Sequence, residues 1–72
     1  MEQITRFHEA NHEYIITLSN TTPGIWETLV KTVGGYGIII YIHRRYRSYA
    51  RAMQKYRDLV LWNTGKEPVY VR

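Results

Sequence analysis

The segment His8-Glu9-Ala10-Asn11-His12 matches the HExxH pattern of zinc hydrolases. On a helix, this spacing places two imidazoles on one face to bind zinc, and the glutamate acts as general base to the metal-bound water. Here the pattern lies between two segments that favour strands, and Glu13, Glu27 and His43 offer no defensible spacing for a third ligand. We therefore expect a solvated turn at residues 9–12, no bound metal or cofactor and no catalytic residues. A zinc hydrolase is the least favoured function.

The second group of chemically interesting residues is a basic segment in the second half of the chain. Six of the ten Lys and Arg residues lie between Arg44 and Arg57, and no Asp or Glu occurs between residues 37 and 57. Residues 1–36 carry a net charge of −2, whereas residues 37–72 carry +6. This asymmetry steers an anionic partner to the second half of the chain.

A helix from about Arg44 to about Leu61, with a C-cap at Asn63-Thr64-Gly65, would position these bases. At about 100° per residue, the helix places four bases on one face, and we expect Tyr46, Met53 and Tyr56 in the core. Guanidinium groups one helical turn apart can follow a phosphate backbone, and a flanking tyrosine can stack on an unpaired base. The predicted binding residues are the stripe Arg44, Arg47, Arg51 and Lys55 with the flanking Arg45 and Tyr49.

These residues predict a small non-enzymatic binding module. Its expected partner is nucleic acid, either DNA or RNA, with low sequence specificity because phosphate contacts do not read bases. The alternative is an inhibitor or adaptor of the phage or mobile-element type that binds an acidic patch on a host protein. The small size and the many aromatic residues suit such an interface. It would use the same helix or an edge strand near residues 68–72.

The other elements are predicted from periodicity and turn residues. A short strand over Ile4–Phe7 and a longer one over Glu13–Ser19 precede a helix from Ile25 to Val33, which Thr22 and Pro23 would begin and two glycines would end. The apolar run Ile38–His43 predicts a central strand covered on both sides. The basic helix follows, and residues 68–71 form a last edge strand.

The order (β)βαβαβ predicts an α+β or small α/β fold. Its expected architecture is a two-layer sandwich, with a three- to four-stranded sheet packed against two helices. One alternative stays open: Val60–Trp62 and Val69–Val71 flank a turn-like segment and could form a hairpin, with the helix ending near Arg57.

Length and composition set the remaining expectations. The 72 residues predict a single domain, residues 1–72, near the lower size limit for folding without a disulfide or a metal. No cysteine is present, which excludes thiolate metal sites and fits a reducing compartment. The longest apolar run is too short for a membrane span, so we expect a soluble cytoplasmic protein. A homodimer would be a natural way to cover leftover apolar surface.

Overall fold

A computed structural model describes residues 2–34 and 37–70 of the protein. It contains four strands and one helix. These elements are β1 (Glu2–Glu9), β2 (His12–Thr22), β3 (Ile25–Gly34), β4 (Gly37–Tyr46) and α1 (Tyr49–Thr64). The strands form one antiparallel sheet in the order β1-β2-β3-β4, and α1 contacts β2, β3 and β4. The predicted βαβαβ sandwich with two helices is therefore wrong.

The segment predicted as the first helix is strand β3. Its apolar residues satisfy helical spacing, but β-branched residues at 28, 30, 32 and 33 favour an extended backbone. In the strand, alternate side chains at 28, 30 and 32 are buried, which is the two-residue period of a sheet. The Pro23-Gly24 pair, read as a helix start, instead forms the β2–β3 turn, in which Gly24 has φ of 77°.

The β1–β2 connection confirms the predicted turn at residues 9–12. Ala10 and Asn11 have φ of 47° and 68°, which is the backbone of a two-residue hairpin turn of the I′ type. Asn is among the residues that tolerate this conformation best. The strands on either side extend further than predicted, because each gains ladder hydrogen bonds from the neighbouring strand.

The predicted second helix exists but begins later than expected. Residues up to Tyr46 continue β4, and α1 begins after Ser48, whose Oγ accepts a hydrogen bond from the backbone N–H of Arg51 at 3.3 Å. Gly65 ends the helix with φ of 71° and donates its N–H to the Leu61 carbonyl, as the sequence predicts. Because α1 continues to Thr64, the alternative hairpin over Val60–Trp62 is wrong.

The core lies between α1 and one face of the sheet, which we call the helix face. Buried side chains of β2, β3 and α1 form it, and the helical ones recur at i, i+4, i+7 and i+8. The cluster comprises Ile16, Leu18, Val30, Ala52, Tyr56, Leu59 and Val60, with Tyr46 and Met53 packed against it. The prediction that Tyr46, Met53 and Tyr56 are core residues is confirmed. No helix covers the opposite face, which we call the open face, within the described residues.

Two further expectations concern the edges and the C-terminal segment. Strand β4 is an edge strand, so the prediction of a central strand covered on both sides is wrong. The predicted last strand is absent from residues 68–70, which have no regular structure, and residues 71–72 lie outside the described residues. Within the described ranges, no helix is long and apolar enough to cross a membrane.

Candidate functional site

The basic segment is divided between three elements and does not form a single helical stripe. Arg44 and Arg45 belong to β4, Arg47 lies in the connection to α1, and Arg51 is in the first turn of the helix. The prediction of four bases on one helix face is therefore wrong for the first two members, because Ser48 delays the start of the helix. We call Arg44, Arg47 and Arg51 the basic junction, since they flank the point where β4 gives way to α1.

Arg44 and Arg45 point to opposite faces of the sheet, because successive strand residues alternate. Arg44 is opposite Thr28, a buried residue of the helix face, and its guanidinium donates to the His43 carbonyl at 3.3 Å. Arg45 is opposite Glu27 on the open face, and its Nε lies 3.5 Å from a Glu27 carboxylate oxygen. The structure thus separates Arg45 from the basic junction and gives it an acidic partner.

The helical bases Arg51 and Lys55 share one flank of α1 at i, i+4 spacing. Arg51 is exposed and has no ion pair with any residue of the described ranges. Lys55 is half-buried, and its ammonium lies 5.0 Å from the centre of the Trp62 ring, in a cation–π contact. Lys55 therefore lies at the margin of the site, and its ammonium group already interacts with the Trp62 ring.

Tyr49 anchors the start of the helix. Its ring meets the Trp26 ring edge-on, with the two centroids 4.6 Å apart. This contact packs the first residue of α1 against the beginning of β3. Tyr49 therefore has a packing role in addition to the base-stacking role that the sequence predicts.

No acidic residue belongs to the first turn of α1 or forms an ion pair with the basic junction in the part of the chain that the structure describes. The first turn of α1 contains no acidic residue, so the positive end of the helix dipole adds to the charge of the three guanidinium groups. Within residues 2–34 and 37–70, no carboxylate lies within ion-pair distance of the Arg44, Arg47 or Arg51 side chains. Arg6, His8, His43, Arg45 and Arg57, in contrast, all have carboxylate partners. Lys31, Lys55 and Lys66 also have no carboxylate partner in these ranges, but the arginines without one all belong to the basic junction.

The HExxH segment lacks the helix that zinc chemistry requires. His8 and Glu9 end β1, the two-residue turn follows, and His12 begins β2. His8 lies 3.6 Å from Glu13, whereas the His12 ring packs over Gly34, where an added Cβ would come within 2.6 Å of it. Among the described residues, no three His, Asp or Glu side chains could hold a metal ion together.

An open groove of about 600 Å³ lies between β1 and the segment after the helix. Residues 4–9 line one side, and Val60, Asn63, Thr64 and residues 66–69 line the other. Arg57 and Glu67 form a two-hydrogen-bond ion pair that ties this segment to the helix, with Nε to Oε2 at 2.9 Å. Hydrogen bonding by Arg57 lowers the pKa of Glu67 from its ordinary value. These contacts hold one wall of the groove against the helix, and they do not indicate a ligand.

Sequence reasoning missed one surface feature, the exposed outer edge of β4. The sequence predicts a central strand here because the run from Ile38 to Ile42 is uniformly apolar. Only the strand order shows that nothing pairs with this edge among the described residues. The available signal was the absence of a crossover helix, since Pro23-Gly24 and the glycines at 34–37 both favour tight turns between neighbouring strands.

Comparison of the chain with protein-family models, with curated proteins and with solved structures finds no match in any of the three.

Proposed function

We propose that the protein is a small non-enzymatic binding module and that the basic junction binds an anionic partner, namely a nucleic acid backbone. The observation that supports this most strongly is the concentration of unpaired arginines. Arg44, Arg47 and Arg51 have no acidic partner in the described residues, while the other arginines of those residues do. Guanidinium groups bind phosphate oxygens with paired hydrogen bonds, so three of them together suit a phosphate chain.

The proposed roles of the six predicted binding residues are unequal. Arg44, Arg47 and Arg51 supply the principal phosphate contacts, and Lys55 adds charge at the margin. Tyr49 positions the helix and offers its hydroxyl, while Arg45 contributes from the open face only when it leaves Glu27. Because none of these contacts reads base edges, the proposal includes low sequence specificity and no preference between DNA and RNA. It also includes a cytoplasmic location, where both are accessible.

Charge reversal at the junction tests this function. Arg47→Glu/Arg51→Glu should weaken binding of a fluorescently labelled single-stranded oligonucleotide by at least about 10-fold at low salt, because each lost phosphate contact removes a counterion-release contribution. The measurement is fluorescence anisotropy, with circular dichroism to show that the variant is folded.

The matched control is Lys31→Glu/Lys66→Glu, which changes the net charge by the same amount away from the junction. Lys31 lies in β3 and Lys66 follows the helix cap. The control should retain most of the binding. Equal weakening by both double variants would mean that net charge alone is responsible, and no binding by the wild-type protein at low salt would contradict the proposal outright.

A second candidate function is an inhibitor or adaptor that binds an acidic patch on another protein, including one of a host. Exposed apolar side chains favour it: Trp62 is 70% exposed beside Lys55, and Val69 is 86% exposed. Aromatic and aliphatic groups next to bases are typical of protein interfaces. Affinity purification with and without nuclease distinguishes the two functions, because a stoichiometric protein partner retained after nuclease treatment supports only this one.

A further inference from the structure

The outer edge of β4 exposes a continuous apolar surface, which we call the apolar edge and define as residues 37–41. Ile38, Ile39, Ile40 and Tyr41 are 64%, 55%, 57% and 59% exposed. Ile38 and Ile40 lie on the open face, opposite Val33 and Lys31, whereas Ile39 lies on the helix face, opposite Thr32. Exposure on both faces shows that neither α1 nor any other described segment covers this part of the strand.

The two edges of the sheet are protected differently. Along β1, residues 66–69 form the opposite wall of the groove, and Pro68 of this segment is buried. Strand β1 also carries several charged side chains, which discourage pairing with another strand. The apolar edge has neither protection, since it contains no charge and no proline, and no described strand pairs with the side of it that faces away from β3. An edge of this kind is a template for another strand.

We propose that a second copy of this chain covers the apolar edge by antiparallel β4–β4 pairing about a two-fold axis at Ile39. Such an axis is perpendicular to the sheet, so a residue pairs with its own copy and both helices stay on the same face. Ile39 is then opposite the partner's Ile39 on the helix face. On the open face, Ile38 is opposite the partner's Ile40. The two sheets become one eight-stranded sheet with an isoleucine cluster on each side of the joint.

The positions of the charges near the apolar edge favour pairing with a second copy of the chain and determine that the two β4 strands are antiparallel. In antiparallel pairing centred on Ile39, the partner's β4 begins at Gly37 opposite Tyr41, so Arg44 lies beyond the end of the paired region. The two Arg44 residues are about 34 Å apart along the strands. This distance is well beyond the screening length of about 8 Å at physiological salt. Parallel pairing would instead align the two basic ends about 5 Å apart. Two copies of the apolar edge can therefore pair without repulsion between their basic residues only in the antiparallel direction.

A bulge limits the length of the joint. Val30 pairs with Ile42 and Lys31 with Ile40, so Tyr41 is an extra residue in β4. Beyond it the strand bends and becomes basic, which confines pairing to about five residues of each copy. The paired interface is therefore short, and small interfaces of this kind are typical of weak association that depends on protein concentration. This proposal stands independently of the nucleic-acid function.

Sedimentation velocity across protein concentration tests the dimer. The wild-type protein should pass from the 8.6-kDa chain to twice that mass as its concentration rises. Ile39→Lys places two ammonium groups directly opposite each other and should raise the dissociation constant at least about 100-fold, because like charges that face each other across an interface strongly oppose association. Ile39→Glu should do the same. A mixture of the two variants should dimerise again, because lysine then meets glutamate across the axis.

The matched control is Ile4→Lys on the other edge strand, which should leave dimerisation unchanged. Ile4 lies on the open face, opposite Thr17, so this variant also detects a dimer formed through the open faces. Four results would overturn the proposal: a wild-type monomer up to millimolar concentration, open-ended assembly, dimer loss in Ile4→Lys, or failure of the two folded Ile39 variants to dimerise when mixed.

Discussion

At the residue scale, the helix face contains two buried hydroxyl groups that have no hydrogen-bond partner among the described residues. They belong to Thr28 and Thr32. A buried hydroxyl without a partner costs about 1–3 kcal/mol. Thr5 differs, because its hydroxyl lies 2.7 Å from the Tyr56 hydroxyl and is satisfied. The same residue type therefore has opposite effects on the free energy of unfolding at different positions.

Substitution of these threonines by valine tests that difference. Thr28→Val keeps the shape and β-propensity and removes the unpaired hydroxyl, so we expect the free energy of unfolding to rise by about 1 kcal/mol. Thr5→Val should lower it by about 1 kcal/mol, because Tyr56 loses its partner. Urea unfolding followed by circular dichroism measures both. Destabilisation by Thr28→Val would show that its hydroxyl is hydrogen-bonded after all.

Tyr56 makes stability sensitive to alkaline pH. Burial raises the pKa of its hydroxyl above the ordinary value. The unfolded chain therefore loses this proton at a lower pH than the folded one, and stability falls as the pH rises above about 10. Tyr56→Phe should lower the free energy of unfolding by about 1 kcal/mol near neutral pH, because the substitution removes the hydrogen bond with Thr5. When the pH is raised from about 8 to about 10.5, the free energy of unfolding should fall less in the Tyr56→Phe variant than in the wild-type protein. Urea unfolding at both pH values measures this difference. An equal fall in the two proteins would contradict the role assigned to Tyr56.

At the element scale, the start of α1 depends on one side chain. Ser48 separates β4 from the helix and satisfies the backbone N–H of Arg51. Ser48→Ala should lower the free energy of unfolding by about 1 kcal/mol. Ser48→Asp should retain stability, because aspartate also caps and favours the positive end of the dipole. Thermal unfolding of both variants provides the measurement. Equal loss in the two would show that the cap is not what stabilises this boundary.

The sequence predicts some elements better than others. Gly65 and the Ala10-Asn11 turn are predicted correctly because each depends on local backbone preferences. Strand β3 is mistaken for a helix because Trp26, Val30 and Val33 fit helical spacing, while the hydrogen bonds that make it a strand come from β2 and β4. Pairing between distant segments is invisible to local periodicity. The same limitation hides which strands are edges.

At the scale of the whole molecule, the charge asymmetry is a property of the sequence, but the positions of the charges depend on the fold. The sequence identifies the basic residues, yet it places Arg44 and Arg51 on one helix, whereas the fold divides them between a strand and a helix. It also does not indicate that Arg45 pairs with Glu27, because these residues meet only across the sheet. The principal contacts of the proposed site are therefore reduced from the six predicted residues to three arginines, with Lys55 at the margin.

The most direct test of the proposed function is the salt dependence of nucleic-acid binding. If three arginines each displace a counterion from phosphate, the logarithm of the association constant should fall linearly with the logarithm of salt concentration, with a slope of about −2 to −3 per bound chain. Arg47→Gln/Arg51→Gln should reduce the magnitude of this slope by about two-thirds. A slope near zero for the wild-type protein, or the same slope in the variant, would contradict the role assigned to the basic junction.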